Sequence, residues 1–370
     1  MKTKQRAVLS NRFNVNRSSK ELKYVLVMLI SIVLFACSND DLEPVNTVVE
    51  KSKDVIPAEG KSKTGKQHLS YKSLKKWMDE IPDYTDITKI TIPGTHNSGA
   101  RFDLHSALQN AGKTQNLKIS EQLDRGVRYL DIRCKIKKNN LAIYHGRADQ
   151  KQTLGDVLNV VEKFLKENPS EFIFLSIKKE EDKDSSADFE RLVKSNFSSS
   201  KYWNRLYKNN NGFPCIRDVR GKIVLIKRFS GFSDAGYSAH PGWKDDSKNF
   251  TIKKSSYSLN VQDAYNVSWT DDKVKNIKNQ LARSGRSTDK NELFLNFYSG
   301  YKKMFGGIPN VRSVSSYVNP KLDSYVKKSE VPKSNYGICI LDFIDESLCK
   351  TLVKANVFEV KQAMTECAEF

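Results

Sequence analysis

Leu154-Gly155-Asp156-Val157-Leu158-Asn159-Val160-Val161-Glu162-Lys163-Phe164-Leu165, stopped by Glu167-Asn168-Pro169 and followed by Phe172-Ile173-Phe174-Leu175-Ser176-Ile177, is the stretch whose reading decides the fold. Leu154, Val157, Leu158, Val161 and Leu165 recur at helical spacing and share one face, while Asn168-Pro169 cannot continue a helix. The run after it is apolar at almost every position and ends in Lys178-Lys179-Glu180, as a strand covered on both faces does. A helix feeding such a strand is the repeating unit of an α/β fold.

Working outward, the same alternation predicts strands at 87–92, 127–136, 141–144, 172–177, 222–227, 259–262, 293–298 and 336–343. Eight strands interleaved with amphipathic segments predict an α/β barrel in a single catalytic domain. Two strands adjoin between Val127 and Tyr144 with no helix between them, so the barrel is expected to be irregular, a distorted TIM barrel. The 370 residues suit one such domain plus a leader.

The leader lies at the front. Arg and Lys residues up to Lys23 precede a mostly apolar run, Tyr24 to Ala36, too short to span a bilayer comfortably. It closes on Leu34-Phe35-Ala36-Cys37, which resembles the lipobox of bacterial lipoproteins and implies cleavage before Cys37 and acylation there. Residues 37–68 are polar and aperiodic, as a flexible tether is, leaving 69–370 for the barrel. Ser38-Asn39-Asp40-Asp41 behind the cysteine resembles a surface-export signal, so anchoring at the outer membrane or cell surface is expected.

The chain carries +19, and removal of residues 1–36 leaves +13, which favours anionic partners. The Lys residues are dispersed and no nucleic-acid-binding module can be read, so nucleic acid is not an expected partner; a membrane surface and a phosphate-bearing lipid are. Cys134, Cys215, Cys339, Cys349 and Cys367 show no metal-site spacing and no assignable pairing. The domain is expected to act as a monomer.

Barrel enzymes place chemistry at the carboxyl ends of their strands, and the polar clusters fall there. Thr95-His96-Asn97 follows the first strand, Asp131 and Arg133 lie late in the second, His145 follows Tyr144, and Lys178, Arg228 and Asp342 close three others. Phosphodiester cleavage needs a base, an acid and fixed positive charge on phosphoryl oxygens. Two imidazoles and a guanidinium supply these.

Ile92-Pro93-Gly94-Thr95-His96-Asn97-Ser98-Gly99, Leu130-Asp131-Ile132-Arg133 and Tyr144-His145-Gly146 together resemble the bacterial phosphatidylinositol-specific phospholipases C. The likeness continues through Phe174 to Glu180, Gly221 to Arg228, Val261 to Tyr265 and Leu341 to Ile344. It implies cleavage of phosphatidylinositol, or of glycosylated inositol lipids, to diacylglycerol and inositol 1,2-cyclic phosphate. By the same resemblance His96 is the base, Asp342 its orienting carboxylate, His145 the acid and Arg133 the phosphate cation. Lys178, Arg228 and Asp263 would meet inositol hydroxyls, with Tyr265 as a flat face under the ring.

One position departs from the family, which has Asp directly after the first histidine where this chain has Asn97. An amide can orient the ring of His145 but stabilises its cation less than a carboxylate does. Asn at this position also resembles the calcium-dependent eukaryotic enzymes. Arg133 and Lys178 stand where those have acids, so no cofactor is expected and calcium is the lesser alternative. Phe102, Leu104 and Leu108, and Tyr298, Tyr301, Met304 and Phe305, are candidates for membrane contact or for packing on the barrel rim. Two other functions stay open: an inositol-lipid-binding lipoprotein with weak or lost turnover, and another barrel phosphodiesterase.

Overall fold

The computed structural model describes residues 65–104, 111–181, 183–328 and 335–360. The expected leader, Cys37, most of the tether and Leu108 lie outside them. Residue by residue the helix read from the sequence is present: Leu154–Glu167 (α1) is opened by a reciprocal cap between Thr153 and Asp156 and ends at Asn168. Its apolar face, Leu154, Val157, Leu158, Val161 and Leu165, is buried with Phe164.

The main sheet has eleven strands: β1 Ile92–Thr95, β2 Tyr129–Lys137, β3 Asn140–His145, β4 Ala148–Thr153, β5 Ile173–Lys179, β6 Ile223–Arg228, β7 Tyr237–Ser238, β8 Ser247–Lys253, β9 Ser258–Asp263, β10 Glu292–Phe297 and β11 Ile338–Leu341. Its order is β7-β6-β5-β2-β1-β11-β10-β9-β8, with β3 and β4 branching from β2 as an antiparallel ribbon. From β7 to β9 every neighbouring pair is parallel, and only β8 adds antiparallel. Ser186–Phe197 (α2), Thr270–Arg286 (α3), Val311–Lys328 (α4) and Glu346–Lys354 (α5) complete the alternation with α1. This is the distorted α/β barrel expected.

Among the described residues no backbone ladder joins β7 to β8 or β9. Side chains bridge that gap: the Tyr257 hydroxyl accepts from the Ser238 amide at 2.6 Å and donates to the Ser238 carbonyl at 3.1 Å. The Tyr237 and Tyr257 rings meet edge to face at 5.0 Å, and Phe213 stacks on Tyr237 at 4.3 Å. At the centre, β1 fits between β2 and β11 only because Gly94 lacks a side chain. A β-carbon there would lie 3.0 Å from Cβ of Tyr129 and 3.3 Å from the Cys339 carbonyl.

One expected strand is displaced. Ile87–Lys89 is a 3-10 turn, its amides bonding to Pro214 and Asp86, and the strand begins only at Ile92. Ile87 and Ile90 are apolar because they are buried, not because they pair; Ile92 is buried as well and is the first of the run in the sheet. Strands β4, β7 and β8 were not expected; β4 and β8 are largely polar sequences at a ribbon and an edge, and β7 has two residues.

The foot of the barrel is sealed by a buried ion pair. Arg128 Nη2 lies 2.7 Å from Glu171 Oε2, both side chains fully inaccessible, and Arg128 Nε donates to the same oxygen at 2.8 Å. Nη1 donates to the carbonyls of Leu123 and Val127, and Nη2 to those of Leu74 and Lys75. At the same end a short ribbon pairs Gly65–His68 with Val357–Val360, so sheet contacts begin four residues ahead of Leu69. Leu69 bonds on to the Asn356 carbonyl, and the Asn356 carboxamide brackets Thr91, the residue before β1.

Candidate active site

The parallel register aligns the site. Arg133 on β2 is level with Lys178 on β5, and Lys178 with Arg228 on β6, so three cations form one row across adjacent strands. The period of two puts Asp131 on the same face as Arg133, one step toward the foot. Asp131 Oδ2 accepts from Arg133 Nε at 3.1 Å and from the Asn97 amide at 3.1 Å, and Oδ1 lies 3.6 Å from Arg228 Nη1. Burial alone would push this carboxyl up; Arg133 and Arg228 outweigh it and hold Asp131 well below the usual range.

His96 directly follows β1. Its Nδ1 is 2.7 Å from Oδ1 of the fully buried Asp342, and its Nε2 is 2.6 Å from Arg133 Nη2. A guanidinium only donates, so Nε2 accepts and the ring proton sits on Nδ1, facing the carboxylate. In that tautomer the Nε2 lone pair is held by the Arg133 guanidinium.

His145, at the end of β3, presents its ring edge-on to His96 at 5.9 Å between centroids. Its Nδ1 lies 2.6 Å from the Gly112 carbonyl, which accepts the Nδ1 proton and leaves Nε2 free to exchange one. Burial, with the nearby Arg133 and His96, pulls this imidazole down to about 4.

The amide reading of Asn97 needs correction. Asn97 sits in a left-handed turn at φ 39° and is fully buried, and among the described residues neither polar atom of its carboxamide has a hydrogen-bond partner. The Gly112 carbonyl holds His145 in its place. The side chain following the first histidine is buried and is not part of the cavity wall, while Ala111 and Gly112 line it.

The residues enclose a cavity of about 630 Å³ whose wall includes His96, Arg133, His145, Lys178, Arg228, Asp263 and Tyr265. Eight of the nine chemistry-bearing residues singled out from the sequence thus converge: these seven on the wall and Asp342 behind His96. Sequence reasoning gave no role to Asp131, Glu180, Trp243 or Asp245. Glu180 takes the Gly146 amide at 2.9 Å and Lys178 at 3.1 Å; burial opposes its charge, but Arg133 and Lys178 hold it down to about 2. Trp243 lies under Arg228 at 3.6 Å and donates to Asp263, and Asp245 accepts from the Tyr265 hydroxyl at 2.6 Å. Asp131-x-Arg133 and Lys178-x-Glu180 were legible as same-face pairs; the loop bearing Trp243 and Asp245 offered no periodic signal.

At the rim Phe102 and Leu104 are exposed, and so are Met304 and Phe305, the last completely. Tyr298 is buried with its hydroxyl on Cys339, so it belongs to the core.

Residues 91–229 match the family model described as phosphatidylinositol-specific phospholipase C, X domain. The chain is 31% identical over 284 residues to a 1-phosphatidylinositol phosphodiesterase of Staphylococcus aureus, covering 74% of this chain and 89% of the relative. A 1-phosphatidylinositol phosphodiesterase of Listeria monocytogenes is 31% identical over 293 residues, covering 77% and 86%. A solved mutant of the phosphatidylinositol-specific phospholipase C from Staphylococcus aureus superimposes with a TM-score of 0.70 at 29% identity, covering 78% of this chain and 98% of that one.

Proposed function

Since this chain belongs to the phosphatidylinositol-specific phospholipase C family, we propose that it cleaves phosphatidylinositol to diacylglycerol and inositol 1,2-cyclic phosphate. The observation that carries the reading is His96 held between Asp342 and Arg133 on the cavity wall. A phosphodiester seated against Arg133 draws the guanidinium away from Nε2, which then takes the proton of the inositol 2-hydroxyl. That oxygen forms the new bond to phosphorus as the bond to the glycerol oxygen breaks.

His145 gives the glycerol oxygen its proton. Burial and the nearby Arg133 hold this imidazole down, and the negative charge of a bound phosphodiester opposes them, so substrate arms the acid. Lys178, Arg228, Asp263 and Tyr265 bind the inositol ring. The row Arg133, Lys178, Arg228 supplies the positive charge that calcium would bring, and repels a cation from the same place.

Exposed Phe305, Met304, Phe102 and Leu104 suit contact with the lipid surface, and acylation at Cys37 would hold the enzyme to a membrane as a cell-surface lipoprotein. Replacement Cys37→Ser should release the protein into the soluble fraction and abolish incorporation of a labelled fatty acid.

Phosphatidylinositol vesicles incubated with the purified protein, with and without chelator, and followed by phosphorus NMR test the reaction. Cyclic phosphate formed equally in both arms is expected. Vesicle binding without product would leave an inositol-lipid receptor, the reading favoured by the detached Asn97 amide. Activity lost in chelator would overturn the metal-free site.

A further inference from the structure

We propose that Lys273, buried behind the cavity and untouched by the chemistry, is a positioning residue that sets the inositol-binding pair Asp263 and Tyr265 and, through one carboxamide, the β10 end beside His96. The inference rests on the reading that Asp263 and Tyr265 hold the head group.

Lys273 lies in the first turn of α3 and is 2% exposed. A lysine is almost never placed so unless its ammonium has fixed partners. It has two: the Ala264 carbonyl at 2.6 Å and Gln262 Oε1 at 3.2 Å. Ala264 is the residue between Asp263 and Tyr265, so the ammonium grips the backbone midway between two side chains of the cavity wall. Burial pulls Lys273 down to about 8, while Asp263, Asp342 and Asp246 support its charge, so it is chiefly cationic at pH 7.

Gln262 extends the hold to a second strand. Its Oε1 also accepts the Ala264 amide at 3.0 Å, and its Nε2 donates to the Phe297 carbonyl at 2.8 Å and to Asn296 Oδ1 at 2.9 Å. The Phe297 ring lies 6.2 Å from His96 and 5.9 Å from Trp243. The ammonium therefore grips the β9 end directly, and through the Gln262 carboxamide it bears on the end of β10, the strand already paired with β9. The outer side of the turn is held separately, by Asp246 on the Tyr265 and Asn266 amides. Removing the lysine should consequently loosen the turn without unfolding it.

The full chain carrying Lys273→Met, Lys273→Gln or Asp263→Asn is assayed on phosphatidylinositol vesicles at pH 7, with free myo-inositol as competitive inhibitor. Losing a buried charged hydrogen bond predicts that Lys273→Met raises KM and the myo-inositol Ki about tenfold with kcat within about threefold. Lys273→Gln, which keeps a donor for Ala264, should recover most of that loss; Lys273→Ala, which removes every donor to Ala264 and Gln262, replaces the Met variant in the test if that one does not fold. A Ki within about twofold of the parent in the folded variant, or a fall in kcat alone, overturns the proposal. Asp263→Asn separates the premises: if it too leaves Ki unchanged, the head-group reading fails, whereas a weakened Asp263→Asn beside a normal Lys273 variant removes only the role of Lys273.

Discussion

At the foot of the barrel Arg128 has all its N–H groups directed at carbonyls and Glu171, whereas at the mouth Arg228, almost as deeply placed, leaves Nε and Nη1 without a hydrogen-bond acceptor among the described residues. Both ends bury guanidinium beside carboxylate. The foot spends every bond on its own backbone; the mouth spaces Arg228 from Asp131 at 3.6 Å and from Asp263 at 4.0 Å, close enough for charge but not for saturation. A closed network locks structure, and an open one leaves donors that an anionic group can take up.

That contrast can be broken most severely at His96. His96→Ala should lower cyclic phosphate release by about 10³- to 10⁴-fold with an unchanged melting temperature, since its partners at the mouth are not what holds the barrel. A large loss of Tm would place the mouth among the structural elements. The reciprocal change, Glu171→Ala, strands a buried guanidinium and should cost about 3–5 kcal/mol, read as a Tm lower by about 10 °C, with kcat/KM of the folded enzyme intact.

Arg133→Lys keeps charge but loses the fork that spans Asp131 and His96. A drop of about 10²-fold in kcat is expected, measured at saturating vesicles; a drop below threefold would mean charge alone suffices. The smallest effect concerns pH. Because the folded pKa of His145 is depressed to about 4 from 6.5, its stabilising contribution is complete above pH 6.5 and declines as pH falls toward 4. Denaturant titrations should show about 1–2 kcal/mol lost between pH 6.5 and 4.5, and a flatter profile in His145→Phe.

The two ends also differ in how far the sequence betrays them. Strand β5 and helix α1 were legible because their apolar periods are unbroken, and Arg133, Lys178 and Arg228 because each ends such a strand. The start of β1 was not, since burial of Ile87 and Ile90 imitates pairing. Closure through Tyr257 and Ser238 was hidden, because a hydroxyl substituting for a ladder leaves no period in sequence. The Gly112 carbonyl on His145 was equally invisible: backbone acceptors carry no residue identity, which is why the family-based expectation for Asn97 failed geometrically while His145 itself lies on the cavity wall.

The ribbon of Gly65–His68 fastens beside Thr91, at the start of β1, whereas His96 sits just past that strand's end. Anchored as proposed at Cys37, the enzyme is held by one pole and bites with the other. By covalent length alone, the 27 residues between Cys37 and Gly65 can span at most about 90 Å. Under the proposed anchor that length bounds how far the mouth can travel from its own membrane, and a variant shortened there to a few residues tests whether the catalytic end then still meets lipid in the same bilayer.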